Sequence, residues 1–287
     1  MRIGLQLPNF TTPNGPTGLG ADLARVARIA DEGGFEFISV MDHFFQIGMV
    51  GPPEMEMLEA YTTLGFLAAH TTRAKLLTLV TGAVYRHPGV LIKQVTTLDV
   101  LSGGRAWLGI GATWNEEEAR GLGIPFPSTA ERFERLEETL QIAHQMWRGD
   151  ESAHEGRHYQ LTRPLNSPQA LTVPHPPIMI GGGGERKTLR MVAQYADACN
   201  LFPSPELPHK LQVLREHCER LGRNYDDITK TVAFTFDVGD NGSGVPAMIE
   251  SLKQLEELGI EVAIGQVRDV WQIRPLEIMA TEVIPAI

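Results

Sequence analysis

The stretch Pro176-Pro177-Ile178-Met179-Ile180-Gly181-Gly182-Gly183-Gly184-Glu185-Arg186-Lys187-Thr188-Leu189-Arg190-Met191-Val192-Ala193-Gln194-Tyr195 sets a short β-rich run, four glycines and a helical pattern end to end. A strand that passes through a tight turn into a helix is one β-α unit, and strands separated by helices run parallel because each crossover returns the chain to the same end of the sheet. The unit recurs along the chain. Expected strands are Ile3–Leu7, Phe37–Val40, Leu76–Val80, Ala106–Ile110, Ile178–Ile180, Ala198–Leu201, Thr231–Phe236 and Val262–Ile264. Helical spacing of apolar residues runs through Gly20–Glu32, Leu58–Thr71, Gly89–Leu101, Thr129–Trp147, Arg186–Tyr195, Pro208–Leu221, Gly244–Leu258 and Ile273–Ala280. Eight such units can close into a (β/α)8 TIM barrel; an open doubly wound sheet is the other arrangement they allow.

At 287 residues, with 43% hydrophobic and 21% charged residues, the chain has the composition of a folded protein with an extended core. It reads as one domain over 1–287, since neither an interdomain linker nor a low-complexity segment interrupts it. A net charge of −10 disfavours a nucleic acid or an anionic membrane surface as partner, so any phosphate must be met by a local site. Two cysteines, Cys199 and Cys218, are too few for a disulfide framework, and no signal peptide or membrane span opens the chain. A cytoplasmic protein with a small-molecule substrate is the expectation.

The end of the second strand, Ser39-Val40-Met41-Asp42-His43, carries polar side chains where a parallel barrel places its chemistry, and His43 can exchange a proton near neutral pH. That makes His43 the candidate acid or base; the alternative is a structural Asp-His pair. The four glycines with Arg186 and Lys187 beside them favour an anion at a helix start. In Leu108-Gly109-Ile110-Gly111-Ala112-Thr113-Trp114-Asn115-Glu116 the small residues leave room for a flat ring, and Asn115 could bond its polar edge. Glu116–Glu118 read as an exposed face, with proton transfer by one of them as the alternative. His154-Glu155-Gly156-Arg157-His158 matches a zinc-peptidase pattern, but Gly156 and the strand-like Tyr159–Thr162 contradict the helix that zinc binding needs, so no metal site is expected. Two long connections, Asp42–Met57 and Arg148–Pro177, are the expected walls of a substrate site.

Several blocks taken together resemble the luciferase-like oxidoreductases: Ser39–His43, Thr81–Pro88 with its Arg-His-Pro, Thr97–Arg105 with Asp-Val-Leu-Ser-Gly-Gly-Arg, Gly109–Glu116 with Trp-Asn-Glu, Glu131–Phe133, Ile180–Lys187 and Ala196–Ala198. They follow one another over most of the chain, and the glycine run before Arg-Lys-Thr is most like the branch that depends on coenzyme F420. The resemblance implies a barrel with a deazaflavin or flavin ring at the ends of strands two to four and its phosphate on the glycine turn. It implies His43 as the proton-transfer residue, and Asp42, Thr78, Leu79, Asn115, Gly182, Gly183, Lys187 and Thr188 as cofactor contacts. It also implies a non-proline cis peptide at the end of strand three, expected at Thr78-Leu79. The implied activity is hydride transfer between F420 and a small organic substrate. Alternatives are an FMN-dependent monooxygenase using reduced flavin and oxygen, a non-catalytic cofactor-binding protein, and a non-redox barrel enzyme acting on a phosphorylated substrate. Dimers are common in the family, and a homodimer is one assembly the resemblance allows.

Overall fold

A computed structural model describes residues 1–287. In chain order the elements are β1 (Arg2–Leu7), α1 (Gly15–Glu32), β2 (Phe37–Val40), α2 (Ala60–Ala69), β3 (Lys75–Thr78), β4 (Thr81–Gly82), α3 (Pro88–Ser102), β5 (Leu108–Gly111), α4 (Glu116–Gly121), α5 (Thr129–Trp147), β6 (His154–Glu155), β7 (Gln160–Leu161), β8 (Ile178–Gly181), α6 (Thr188–Tyr195), β9 (Ala198–Leu201), α7 (Leu207–Leu221), β10 (Thr229–Phe236), α8 (Val245–Glu257), β11 (Val262–Val267) and α9 (Arg274–Ile278). All strands but the β6–β7 hairpin form one parallel sheet in the order β3-β2-β1-β11-β10-β9-β8-β5-β4.

β3 and β4 are two halves of a single stave. β3 pairs with β2, β4 pairs with β5, and a parallel bridge between Leu76 and Ala106 joins the ends of the sheet. Eight staves therefore close into the (β/α)8 barrel, with one departure from the expected continuous strand at Leu76–Val80. Leu79 still donates its N–H to Val40 O at 2.8 Å, so the ladder runs one residue past Thr78 and the chain breaks after it. The cis peptide accordingly lies at Leu79–Val80 and not at Thr78-Leu79. Gly109 makes room for this break: a Cβ there would sit 2.0 Å from Thr78 O. The absent side chain at Gly109 thus accommodates backbone, whereas Gly111, two residues on, faces the open end of the barrel.

Helix ends follow local chemistry. α1 begins five residues ahead of the expected Gly20, because Pro16 in its first turn has no N–H to lose to a helical bond. α5 spans the expected Thr129–Trp147, started by the Ser128 side chain accepting from the Glu131 N–H. α6 starts at Thr188, two residues after the expected Arg186. The short α4 was not expected at all; six residues are too few for a helical period to show.

A large apolar core lies between the staves and the helices, and a second cluster of Phe37, Leu77, Met179, Ala198, Val262 and Ile264 fills the barrel interior, with Trp107 edge-on to Phe37. This plug closes the barrel below and leaves the strand C-termini open above. The β6–β7 hairpin replaces any zinc-peptidase helix: His154 and His158 face different carboxylates of α5, Glu138 at 3.4 Å and Glu134 at 2.9 Å. No helix is long and apolar enough to cross a membrane.

Candidate functional site

The strand C-termini surround a cavity of about 560 Å³. Residues of β1, β5, β8, β9, β10 and β11, of the β3–β4 break and just past β2 reach it, so all eight staves contribute to it. Of the long connections, Asp42–Met57 contributes His43, Ile47, Met49 and Val50, while Arg148–Pro177 contributes nothing. The second connection follows a helix and enters a strand, so topology carries it to the opposite end of the barrel. Only the first borders the cavity.

His43 lines the cavity just past β2, and its ring is 12% exposed. Its Nδ1 lies 2.5 Å from Glu118 Oε1. A carboxylate only accepts, so Nδ1 carries the ring proton in the neutral form and Nε2 keeps its lone pair. Nε2 has no partner within the protein. Trp114 stands edge-on to the ring at 5.4 Å.

Glu118 is the residue that sequence reasoning placed wrongly. Instead of lying on an exposed face it is fully buried. It accepts from His43, from the Tyr85 hydroxyl, and from the N–H groups of Phe44 at 2.7 Å and Phe45 at 3.2 Å. Burial pushes its carboxyl up, but the hydrogen bonds from His43 and Tyr85, the His43 charge and the Phe44 N–H outweigh burial and hold it below the ordinary glutamate range. The Tyr85 hydroxyl is pushed the other way by burial and by the carboxylate beside it, so it stays protonated and donates. The only sequence signal for Glu118 was an acid within a run of three at a strand end.

Asp42 also borders the cavity, but its oxygens are engaged. Arg86 donates to both of them, at 2.7 and 2.9 Å, and the Gly82 N–H donates at 3.2 Å. Burial pushes the Asp42 carboxyl up while the guanidinium opposes the push. Arg86, which also reaches Glu59, is held charged by this pairing despite its own burial. Asp42 therefore ties β2 to the β4 backbone and leaves the cavity without a free carboxylate.

The glycine turn forms another wall through Gly181, Gly182, Gly183, Gly184 and Thr188. Gly182 has φ +113, a conformation that side chains disfavour, and it anchors the turn by donating to Asn200 O at 3.0 Å. The N–H groups of Gly183 and Gly184 make no hydrogen bond within the protein. Lys187 lies outside the cavity, its ammonium 5.3 Å from the centre of the Phe133 ring, and both it and Arg186 are exposed beside the turn. Free amides, close backbone and adjoining cations suit an anionic group such as a cofactor phosphate.

The remaining expected contacts separate. Leu79 lines the cavity next to Val80. Thr78 is buried behind it, with its hydroxyl on Thr81 and on Gly109 O. Asn115 stands just ahead of α4, without a capping bond from its side chain, and offers its carbonyl to Tyr85, while Thr113 and Trp114 are the ones that face the cavity. The side chains of Thr78, Asn115 and Lys187 thus do not border the cavity as the structure stands.

The family model described as luciferase-like monooxygenase matches residues 1–263. The chain belongs to that family. A protein of Mycobacterium tuberculosis is 28% identical over 92% of both chains. The F420-dependent glucose-6-phosphate dehydrogenase of Nakamurella multipartita is 30% identical over 72% of this chain and 61% of its own length. Among solved structures, the coenzyme F420-dependent tetrahydromethanopterin reductase of Methanopyrus kandleri superposes with a TM-score of 0.80 at 16% identity, covering 99% of this chain and 98% of that one. For this luciferase-like chain the last likeness concerns the fold, a barrel closed in the same way.

Proposed function

We propose that this family member is a coenzyme F420-dependent oxidoreductase in which His43 exchanges the proton that accompanies hydride transfer. The observation that carries the reading is the unpartnered Nε2 of His43 at a cavity whose other wall is a glycine turn with free N–H groups. The F420-dependent relative favours the deazaflavin over FMN. When bound, the deazaflavin supplies the hydride acceptor or donor of the reaction.

The chain's own part is binding, orientation and proton handling. Gly182, Gly183, Thr188 and the adjacent Lys187 hold the phosphate; Leu79 and Val80 at the strand break, with Gly111, form the surface for the ring. Glu118 fixes the His43 tautomer so that Nε2 is a base toward a substrate hydroxyl and, once protonated, an acid toward a carbonyl. Tyr85 and the two backbone N–H groups keep Glu118 ionised, so it stays a pure acceptor for the His43 Nδ1 proton.

A comparative fluorescence titration of the purified protein with F420 and with FMN tests the reading. The deazaflavin is expected to reach a stoichiometric end point while FMN does not. Tight FMN binding together with oxygen uptake on adding reduced FMN would replace this proposal with the monooxygenase reading that the family description also covers.

A further inference from the structure

Resting on the deazaflavin reading, we infer that the substrate is an uncharged alcohol, or the corresponding ketone, flanked by apolar groups, and that phosphorylated and carboxylated compounds are rejected. The lining of the cavity decides the charge. Among its thirty residues there is no lysine or arginine, and the one carboxylate, Asp42, is already paired. Cations that come near are committed elsewhere. Arg86 holds Asp42 and Glu59. Arg132 donates to Thr113 O at 3.2 Å and Pro127 O at 2.7 Å. Lys210 is bound by Glu185 at 2.6 Å and Glu206 at 3.4 Å. Arg186 and Lys187 stand at the glycine turn, where the cofactor phosphate is placed. An anion entering beside the cofactor would lose its hydration without gaining a counter-charge, which is a strong penalty in a half-enclosed site.

Apolar character is set by the rim. Met49 is 84% exposed, Phe202 70% and Trp114 58%, and all three border this one cavity. Large apolar side chains left in water around a concave site mark a surface that a ligand covers. Ile47, Val50 and Phe234 also line the cavity, and its polar groups Gln6, Thr235 and Gln266 are neutral. Such a site holds one hydroxyl or carbonyl at His43 and carbon on either side of it.

The step balances within this description. In oxidation the O–H and C–H bonds of the alcohol break and the C=O bond forms. The hydroxyl proton goes to His43 Nε2, and the carbinol hydrogen leaves with its electron pair to the deazaflavin, so the alcohol is oxidised and the deazaflavin reduced; the ketone is reduced by the reverse.

The test uses the deazaflavin-loaded protein with cyclohexanol and glucose 6-phosphate as probes. Binding is read by calorimetry and tryptophan fluorescence, turnover by deazaflavin absorbance. Cyclohexanol should bind saturably and be oxidised, and glucose 6-phosphate should bind at least about 100-fold more weakly. Phe202→Arg, at an exposed position that leaves the fold intact, should weaken cyclohexanol about tenfold and bring glucose 6-phosphate into measurable range. Glucose 6-phosphate binding as tightly as cyclohexanol, or neither probe binding, overturns the substrate class while the cofactor reading stands. If the protein takes up no deazaflavin, the cofactor reading fails before any substrate is added.

Discussion

The two ends of the barrel both bury charge, and they treat it differently. At the N-terminal end Arg105 spends its guanidinium on backbone: Nη1 on Ala74 O at 2.8 Å, Nη2 on Ala68 O at 3.1 Å and Thr71 O at 3.0 Å, and Nε on Ser102 O at 2.8 Å. Asp31 accepts the N–H groups of Thr72, Arg73 and Ala74, and Asp99 those of Leu171 and Thr172. These charges tie helix ends to the loops that start the next strands, and nothing in them is left over for a ligand. At the C-terminal end Glu118 is just as fully engaged, but the histidine it holds keeps one nitrogen unpaired at a cavity. Buried charge that is completely matched builds the scaffold; buried charge that leaves one group unmatched at a cavity keeps that group open to a ligand. The Asp99–Arg105 block, one of the most distinctive stretches of the family resemblance, belongs to the first kind.

Substitutions at the two ends should therefore separate activity from stability. The largest effect is expected at the open end: His43→Asn should lower turnover about 10²- to 10⁴-fold, with deazaflavin affinity and melting temperature nearly unchanged. Glu118→Gln should follow in the same direction by a smaller factor, since an amide can donate as well as accept and no longer fixes the His43 tautomer. A loss of cofactor binding as large as the loss of turnover would mean that His43 is a binding contact and would erase the distinction. Arg105→Ala comes next. It should lower unfolding free energy by about 3 kcal/mol in urea titrations while the surviving folded protein binds deazaflavin normally.

The smallest effect is a pH dependence at the closed end. Burial pushes the Asp31 carboxyl up, but the N–H bonds of Ala74, Thr72 and Arg73 outweigh it and leave the folded value below the ordinary 3.8. A carboxylate of this kind contributes stability that is complete above its unfolded pKa and is lost as pH falls through the folded one. Asp31→Asn should thus lose about 1–2 kcal/mol at neutral pH. The gap from the parent protein should close when unfolding is measured below pH 3.8. A gap that stays constant with pH would show that the asparagine disturbs packing and not charge.

Much of the fold was legible in the chain. Each of the eight expected strands has a counterpart among the staves, and Thr129–Trp147 was bounded correctly because Ser128 and the apolar spacing act within a few residues of one another. Position at a strand end was also enough to single out His43 and the glycine turn. Less legible were the features made by distant parts meeting. The strand break after Leu79 depends on Gly109, thirty positions on, and Glu118 becomes a buried partner only because α4 folds its acid back onto the Phe44–Phe45 backbone. Asn115, Thr78 and Lys187 were reasonable by type and order, yet the turn of a short helix, a buried hydroxyl pair and the Phe133 ring take them off the cavity wall.

By itself the sequence determined the alternation of strands and helices, the parallel direction that alternation imposes, and the end of the sheet at which polar residues collect; these follow from local periodicity and from chain connectivity. Only the tertiary structure decided which nitrogen of His43 is free, which carboxylate holds the other, and that no cation lines the cavity. Those are questions of distance and desolvation between residues far apart in the chain, and they are answered only when the barrel closes.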